Sequence, residues 1–209
     1  MSENDVNWKF ANDNVIEHDV IAKARQHSLE LGVDPVSPAI GAQAAVIVAA
    51  TGAQSILEIG TGLGVSGLWL LRGTSSALLT SIDIEAEYHQ RAREAFAEAG
   101  IPNARIRLIG GKALDVLPRM NENAYDIVFV DGDPAHVIEN VEHGLRLARP
   151  GGSVLVPHAL WRGQVANPAN RDDIPSAFRT LVAETATSSA VVSALSIVGD
   201  GLLQITTLA

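Results

Sequence analysis

Two rhythms of apolar and polar residues run along the chain. Residues 16–31 and 38–50 have the spacing and composition of helices, parted by Gly32-Val33-Asp34-Pro35, where glycine ends one helix and proline precedes the next. Ser55-Ile56-Leu57-Glu58-Ile59 is a short apolar run entering a glycine cluster, as a buried strand meeting a tight turn would be. Runs at 78–82, 104–109, 125–130 and 153–156 predict further strands. Between 85 and 99, Tyr88, Ala92, Phe96 and Ala99 share one helical face, closed by Gly100 and Pro102. Between 135 and 148, Val137, Val141, Leu145 and Ala148 do the same, ending at Arg149-Pro150-Gly151-Gly152. Strands alternating with single helices imply right-handed crossovers and a mostly parallel sheet covered on both faces. The tail differs: runs at 191–198 and 202–208 flank Gly199-Asp200-Gly201 and predict an antiparallel pair.

Composition narrows the picture. A length of 209 residues suits one domain, and 47% hydrophobic against 19% charged residues provides a sizeable core. The net charge of −9 and 4% aromatic content argue against nucleic acid as a partner. The absence of cysteine removes disulfides, thiolate nucleophiles and cysteine-based metal centres. Met1-Ser2-Glu3-Asn4-Asp5 is polar and acidic, unlike a signal peptide, and the longest apolar run, residues 44–50, is far shorter than a membrane span. A soluble cytoplasmic protein with no membrane partner is expected.

The first predicted strand runs into Gly60-Thr61-Gly62-Leu63-Gly64-Val65-Ser66-Gly67. Glycines allow a sharp turn and close approach of a ligand to the main chain, and the following helix offers unpaired N–H groups. Asp83 ends the second strand, where a carboxylate can accept the hydroxyls of a ribose. Strand, glycine loop, helix, strand and acid in this order point to a ligand containing a nucleoside. Gly62-x-Gly64-x-x-Gly67 also fits a dinucleotide fingerprint, which keeps an NAD(P)-dependent oxidoreductase open. Glu58, two residues before the first glycine, would repel a pyrophosphate but suit an ammonium and a sulfonium, which favours S-adenosylmethionine.

From this point the sequence resembles the class I S-adenosylmethionine-dependent O-methyltransferases related to the catechol and caffeoyl-CoA enzymes. Residues 56–66 resemble the cofactor loop, 81–85 the ribose strand, 110–118 the adenine-side loop and 125–133 the fourth-strand motif. Arg149-Pro150-Gly151-Gly152, Val198-Gly199-Asp200-Gly201-Leu202 and Pro38-Ala39-Ile40-Gly41 match as well. The resemblance implies a Rossmann-like, doubly wound α/β fold: a mostly parallel seven-stranded sheet with an antiparallel last strand and helices on both faces. A single methyltransferase domain spans 1–209, with a helical cap over 1–52 and the α/β core over 53–209. It also implies that Gly60, Gly62 and Glu58 surround the methionine end of the cofactor and Ser66 binds its carboxylate. Asp83 holds the ribose, Gly111 and Ala113 flank the adenine, Asp131 contacts the cofactor, and Val36 and Gly41 cover it from the N-terminal side. A small hydroxylated acceptor and a homodimer are the expected partners.

The sequence departs from the family's metal-dependent members. These place one Asp after the fourth strand, an Asp-Asn pair after the fifth, and a catalytic Lys three residues beyond the first Asp. Asp131 is present, but the pair reads Pro157-His158 and the Lys position reads Pro134. A Mg²⁺ mechanism therefore does not transfer, and Asp131, Asp133 and His158 remain as candidate ligands for a softer ion. Without a metal, methyl transfer needs an aligned acceptor and a base. His158 is the first candidate, with His136 second and Asp131 beside them, and Trp161 is a candidate wall for a flat acceptor. Loss of the Lys and the Asp-Asn pair leaves a non-catalytic cofactor-binding module as the alternative.

Overall fold

The structure is a computed structural model that describes residues 3–208, without the side chain of Asn4. Helices α1 (Glu3–Asp13), α2 (Asp19–Glu30) and α3 (Pro38–Thr51) precede strand β1 (Ser55–Ile59). There follow α4 (Val65–Arg72), β2 (Leu78–Asp83), α5 (Ala86–Glu98), β3 (Ile106–Gly110), α6 (Ala113–Val116) and β4 (Tyr125–Val130). The chain closes with α7 (Val137–Leu147), β5 (Ala148–Pro157), α8 (Asp173–Thr187), β6 (Val191–Ser196) and β7 (Leu202–Thr207). Strand order is β3-β2-β1-β4-β5-β7-β6. β7 pairs antiparallel with both β5 and β6, and the remaining pairs are parallel. This is the doubly wound sheet anticipated from the sequence.

Burial explains the order. Ile56, Leu57 and Ile59 of β1 are buried on both faces of the sheet, which requires a central strand covered by helices on each side. One core lies under α2, α3, α4 and α5 and contains Trp69 and Phe96; the other lies under α7 and α8 and contains Leu147 and Phe178. The order reverses between β1 and β4, whose carboxyl ends open a crevice, the usual ligand position in an open α/β sheet.

Local chemistry sets the boundaries. Ser37 caps α3 by accepting from the Ile40 N–H at 3.3 Å, Pro38 takes the first turn, and Gly52 closes the helix at φ +62°. The strand expected from residue 104 starts at Ile106, because Asn103–Arg105 forms a 3₁₀ turn. Arg149-Pro150-Gly151-Gly152 lies inside β5, where the register jumps from the Tyr125–Ala148 pair to Ile127–Ser153, instead of forming a loop after α7. Helix α1 leaves Val6 and Phe10 exposed. Its Trp8 indole N–H donates to the carbonyls of Ile197 and Gly199 at 3.1 and 3.0 Å, which seats the helix on the closing hairpin.

Candidate active site

β1 delivers Gly60 into the crevice at φ +94°. A Cβ at this position would lie 2.1 Å from the Asp131 carbonyl oxygen, so only glycine lets the β1 turn pass so close to the end of β4. The turn is fixed by the Gly60 N–H donating to Ile82 at 2.8 Å and the Asp131 N–H donating to Ile59 at 2.8 Å. Asp83 at the end of β2 binds the turn from the side: one carboxylate oxygen accepts from the Gly62 N–H and the other from the Glu85 N–H, both at 2.9 Å. Gly67, the last glycine of the fingerprint, faces Phe96 and Leu79, so it serves the packing of α4 and does not line the crevice.

A cavity of about 450 Å³ opens along this crevice. Gly60, Gly62, Ser66, Asp83, Gly111 and Ala113 all line it. Val36 and Asp131 also line it, Val36 from the segment between α2 and α3. That segment is held from behind by Arg25, whose guanidinium donates to the Val36 carbonyl at 2.6 Å and pairs with Glu17 at 2.8 Å. Glu17 in turn accepts from the Trp69 indole at 3.2 Å.

Two expected contacts lie elsewhere. Gly41 is buried inside α3, where a Cβ would meet the Trp69 indole at 2.3 Å, and it does not line the cavity. Glu58 is fully buried beneath the turn, outside the cavity lining, with one carboxyl oxygen accepting from the Ser81 hydroxyl at 2.5 Å and the other without a partner. Burial pushes its carboxyl up to about 8, against the opposing pull of the Ser81 hydrogen bond and the nearby Ser66 hydroxyl. Glu58 is therefore neutral at pH 7, and the argument from its negative charge fails.

Beyond the cavity lies His158, at the end of β5 with φ +57°. Its Nδ1 is 2.8 Å from the Asp200 carboxylate and its Nε2 is 3.7 Å from Asp131. Burial lowers the imidazole's affinity for a proton, but the hydrogen bond to Asp200 and the charge of Asp131 outweigh it and raise the pKa to about 8. Asp131 is raised to about 7, chiefly by burial, with His158 acting in the opposite direction. Asp131 and His158 line a small second cavity with Pro157, Trp161 and Phe178, and Asp200 holds His158 from outside that lining. Trp161 stacks on Phe178 at a centroid separation of 5.8 Å, which anchors its loop as well as walling that cavity. His136 is half exposed on the rim of the large cavity, 4.0 Å from Glu139.

Sequence reasoning missed Asp200 as a site residue, although the Gly199-Asp200-Gly201 turn marked the place. It also missed Asn140, which lines the large cavity. Nothing in the local pattern distinguished that asparagine from other polar residues on a helix.

The O-methyltransferase family profile matches residues 11–208. The chain belongs to the O-methyltransferase family. Among relatives, an O-methyltransferase candidate of Mycobacterium avium is 43% identical over 194 residues, which cover 92% of this chain and 87% of that protein. The O-methyltransferase TomG of Streptomyces achromogenes, involved in tomaymycin synthesis and solved in complex with SAM, is 28% identical, with a TM-score of 0.84 and full coverage of both chains. A protein of Corynebacterium glutamicum shares the fold with a TM-score of 0.89 at 24% identity, covering 100% of this chain and 98% of its own. Membership in the O-methyltransferase family closes the NAD(P)-dependent oxidoreductase alternative.

The metal expected of some family members finds no matching donors in this O-methyltransferase. Among the described residues, no three His, Asp or Glu side chains converge on one point. The candidate set Asp131, Asp133 and His158 is not assembled, because Asp133 turns back to accept from the Ala135 N–H at 3.0 Å. The two ring nitrogens of His158 face Asp200 and Asp131, and Pro157 offers no ligand atom.

Proposed function

We propose that this chain transfers a methyl group from S-adenosylmethionine to a hydroxyl of a small aromatic acceptor, with His158 as general base and no metal step. The carrying observation is that the two cavities share a wall, since Asp131, Gly132 and Asp133 line both. The nucleoside-sized crevice meets the Asp131–His158–Asp200 row at Asp131, which lines both. The large cavity fits the cofactor by three features: a glycine turn that lets a ligand approach closely, the first N–H groups of α4 as donors, and an accepting carboxylate at the end of β2. Gly60, Gly62 and Ser66 hold the methionine end, Asp83 the ribose, and Gly111 and Ala113 the base. When bound, S-adenosylmethionine supplies an electrophilic methyl group on sulfur.

The remaining chemistry belongs to the chain. The acceptor hydroxyl lies against His158, with Trp161 as the wall for its ring. As the new O–C bond forms and the S–C bond breaks, the hydroxyl proton passes to Nε2 of neutral His158. Asp200 keeps Nδ1 protonated and so fixes the tautomer. Asp131 stabilises the imidazolium that results. His136, exposed on the rim, is the weaker candidate because no side chain orients it toward the acceptor cavity.

Calorimetry with S-adenosylhomocysteine and NAD, followed by methyl-transfer assays on catechols and phenols, tests this reading. Micromolar binding of the thioether alone and turnover that survives EDTA are expected. Binding without turnover on any hydroxylated acceptor would favour a non-catalytic module.

Among the described residues no helix is long and apolar enough to cross a membrane, and a cytoplasmic location accords with that. A homodimer accords with exposed Val6 and Phe10 on α1 and Val192, Leu195 and Ile197 at the sheet edge, two surfaces joined by Trp8.

A further inference from the structure

Among the described residues, four that are not glycine have left-handed backbone, and three of them fall within five positions after β5. They are His158 at φ +57°, Trp161 at +44° and Arg162 at +53°. Such backbone is rare for a bulky side chain and costs free energy, so it persists where the surroundings hold it. His158 is held. The Ala159 and Leu160 N–H groups donate to the carbonyls of Gly201 and Asp200 at 3.1 and 2.8 Å, and a Cβ at Gly201 would lie 2.7 Å from Leu160. The far side is held too, since Val165 is buried and its carbonyl accepts from Arg179 at 3.2 Å. The tip between them, residues 161–164, is fixed by its own local turns, by the exposed Arg162–Asp34 pair and by the Trp161 ring on Phe178. Within the tip Gly163 adopts φ +80° in open space. A strained tip between two pinned ends can swing without moving His158 from Asp200.

The space beside His158 requires such a movement. The cavity that Trp161 and Phe178 wall measures about 30 Å³, enough for a water molecule but not for an aromatic ring. Trp161 already lies over Phe178 in a stacked pair, with the ring planes 23° apart. We infer that Phe178 is the stacking surface for the acceptor ring, and that Trp161 keeps its place until an acceptor displaces it. The exchange trades one aromatic stack for another, so a flat aromatic alcohol can open the gate and an aliphatic alcohol of similar size cannot. Phe178 itself stays in place, being 3% exposed on α8 and part of the core beneath that helix. The displaced indole relaxes the backbone at Trp161 and Arg162 and closes over the outer face of the bound ring, where it serves as the wall of the loaded site.

The inference rests on the placement of the acceptor against His158, and one labelling series separates the two. The chain lacks cysteine, so a single thiol in the small cavity reports the entry of an aromatic molecule. Val137 is 4% exposed and lines that cavity, which makes Val137→Cys the reporter; Val130→Cys, equally buried in the same lining, replaces it should the first fail to fold. Labelling by the aromatic disulfide dithiodipyridine is timed with S-adenosylhomocysteine present, in the reporter alone and combined with Trp161→Ala, Trp161→Phe or Phe178→Leu, with melting as the folding control. Trp161→Ala is expected to speed labelling by ~10-fold or more, and Trp161→Phe to leave it close to that of the reporter alone. Catechol is expected to slow labelling where cyclohexanediol does not, and Phe178→Leu to weaken that protection by ~5-fold. Labelling as fast as at an exposed Val192→Cys, or unchanged by Trp161→Ala in a folded protein, overturns the gate while leaving the acceptor placement intact. Gated labelling that catechol does not slow overturns the acceptor placement and, with it, the role of Phe178.

Discussion

His158 and Glu58 are both perturbed by burial, but their neighbours send them to different ends. His158 has a carboxylate at each ring nitrogen, so its proton is held to about 8 despite the loss of solvent. A base works in its neutral form, so kcat should climb as pH rises toward 8 and level off above it. Removing Asp200 by D200N takes away the partner that raises the value, so the limb of the profile should move to lower pH while kcat falls ~10-fold through loss of orientation. His158→Ala should cost ~100-fold in kcat with little change in thioether affinity. The raised pKa of His158 also contributes stability that is complete below its ordinary value of 6.5 and lost as pH rises through about 8. Glu58 binds a proton more tightly folded than unfolded, so between its ordinary 4.5 and about 8 stability falls as pH rises. Glu58→Gln should remove that part of the decline and raise Tm at pH 8 more than at pH 5, as measured by calorimetric melting.

The cover over the crevice is a matter of elements held together. Residues 33–37 have no secondary structure of their own, and the Arg25–Glu17 pair, with side chains only 16% and 13% exposed, holds them against α2. On the other side, Asp34 pairs with Arg162 of the loop after β5, but both side chains are exposed, and such a pair contributes little. Arg25→Ala should therefore loosen the cover, raise the dissociation constant of S-adenosylhomocysteine by ~10-fold and expose the segment to protease, whereas Arg162→Ala should change either by less than about twofold. Helix packing beneath the cover tolerates equally little: Gly41→Ala would drive a methyl group into Trp69 and should destabilise the fold by ~1–3 kcal/mol in chemical denaturation. Boundaries of elements were readable where a cap or a breaker stood in the sequence, as at Ser37-Pro38 and Gly52. They slipped where pairing decided, as at Ala148–Gly152, because the register jump depends on β4 lying alongside.

Across the whole molecule, the sequence by itself determined the sheet and the place of the site. Alternating apolar runs and helical faces admit one economical topology, and a glycine turn after the first strand must lie at its carboxyl end. That pattern pointed Gly60, Gly62 and Asp83 to one site, the family resemblance added Ser66, Gly111 and Ala113, and all six line one cavity. Tertiary structure decided what each charge means. Whether Glu58 faces ligand or core depends on the pleat of β1 and on the depth of the turn above it, neither of which a spacing records. The pairing of His158 with Asp200 spans 42 positions and exists only because β5 and β7 run antiparallel and bring the closing turn beside the end of β5. The unpartnered Oδ1 of buried Asn140 is likewise a property of the packed neighbours alone. Local pattern fixes which way the chain runs, but desolvation and partnership set a titrating group's state, and both are properties of the packed molecule.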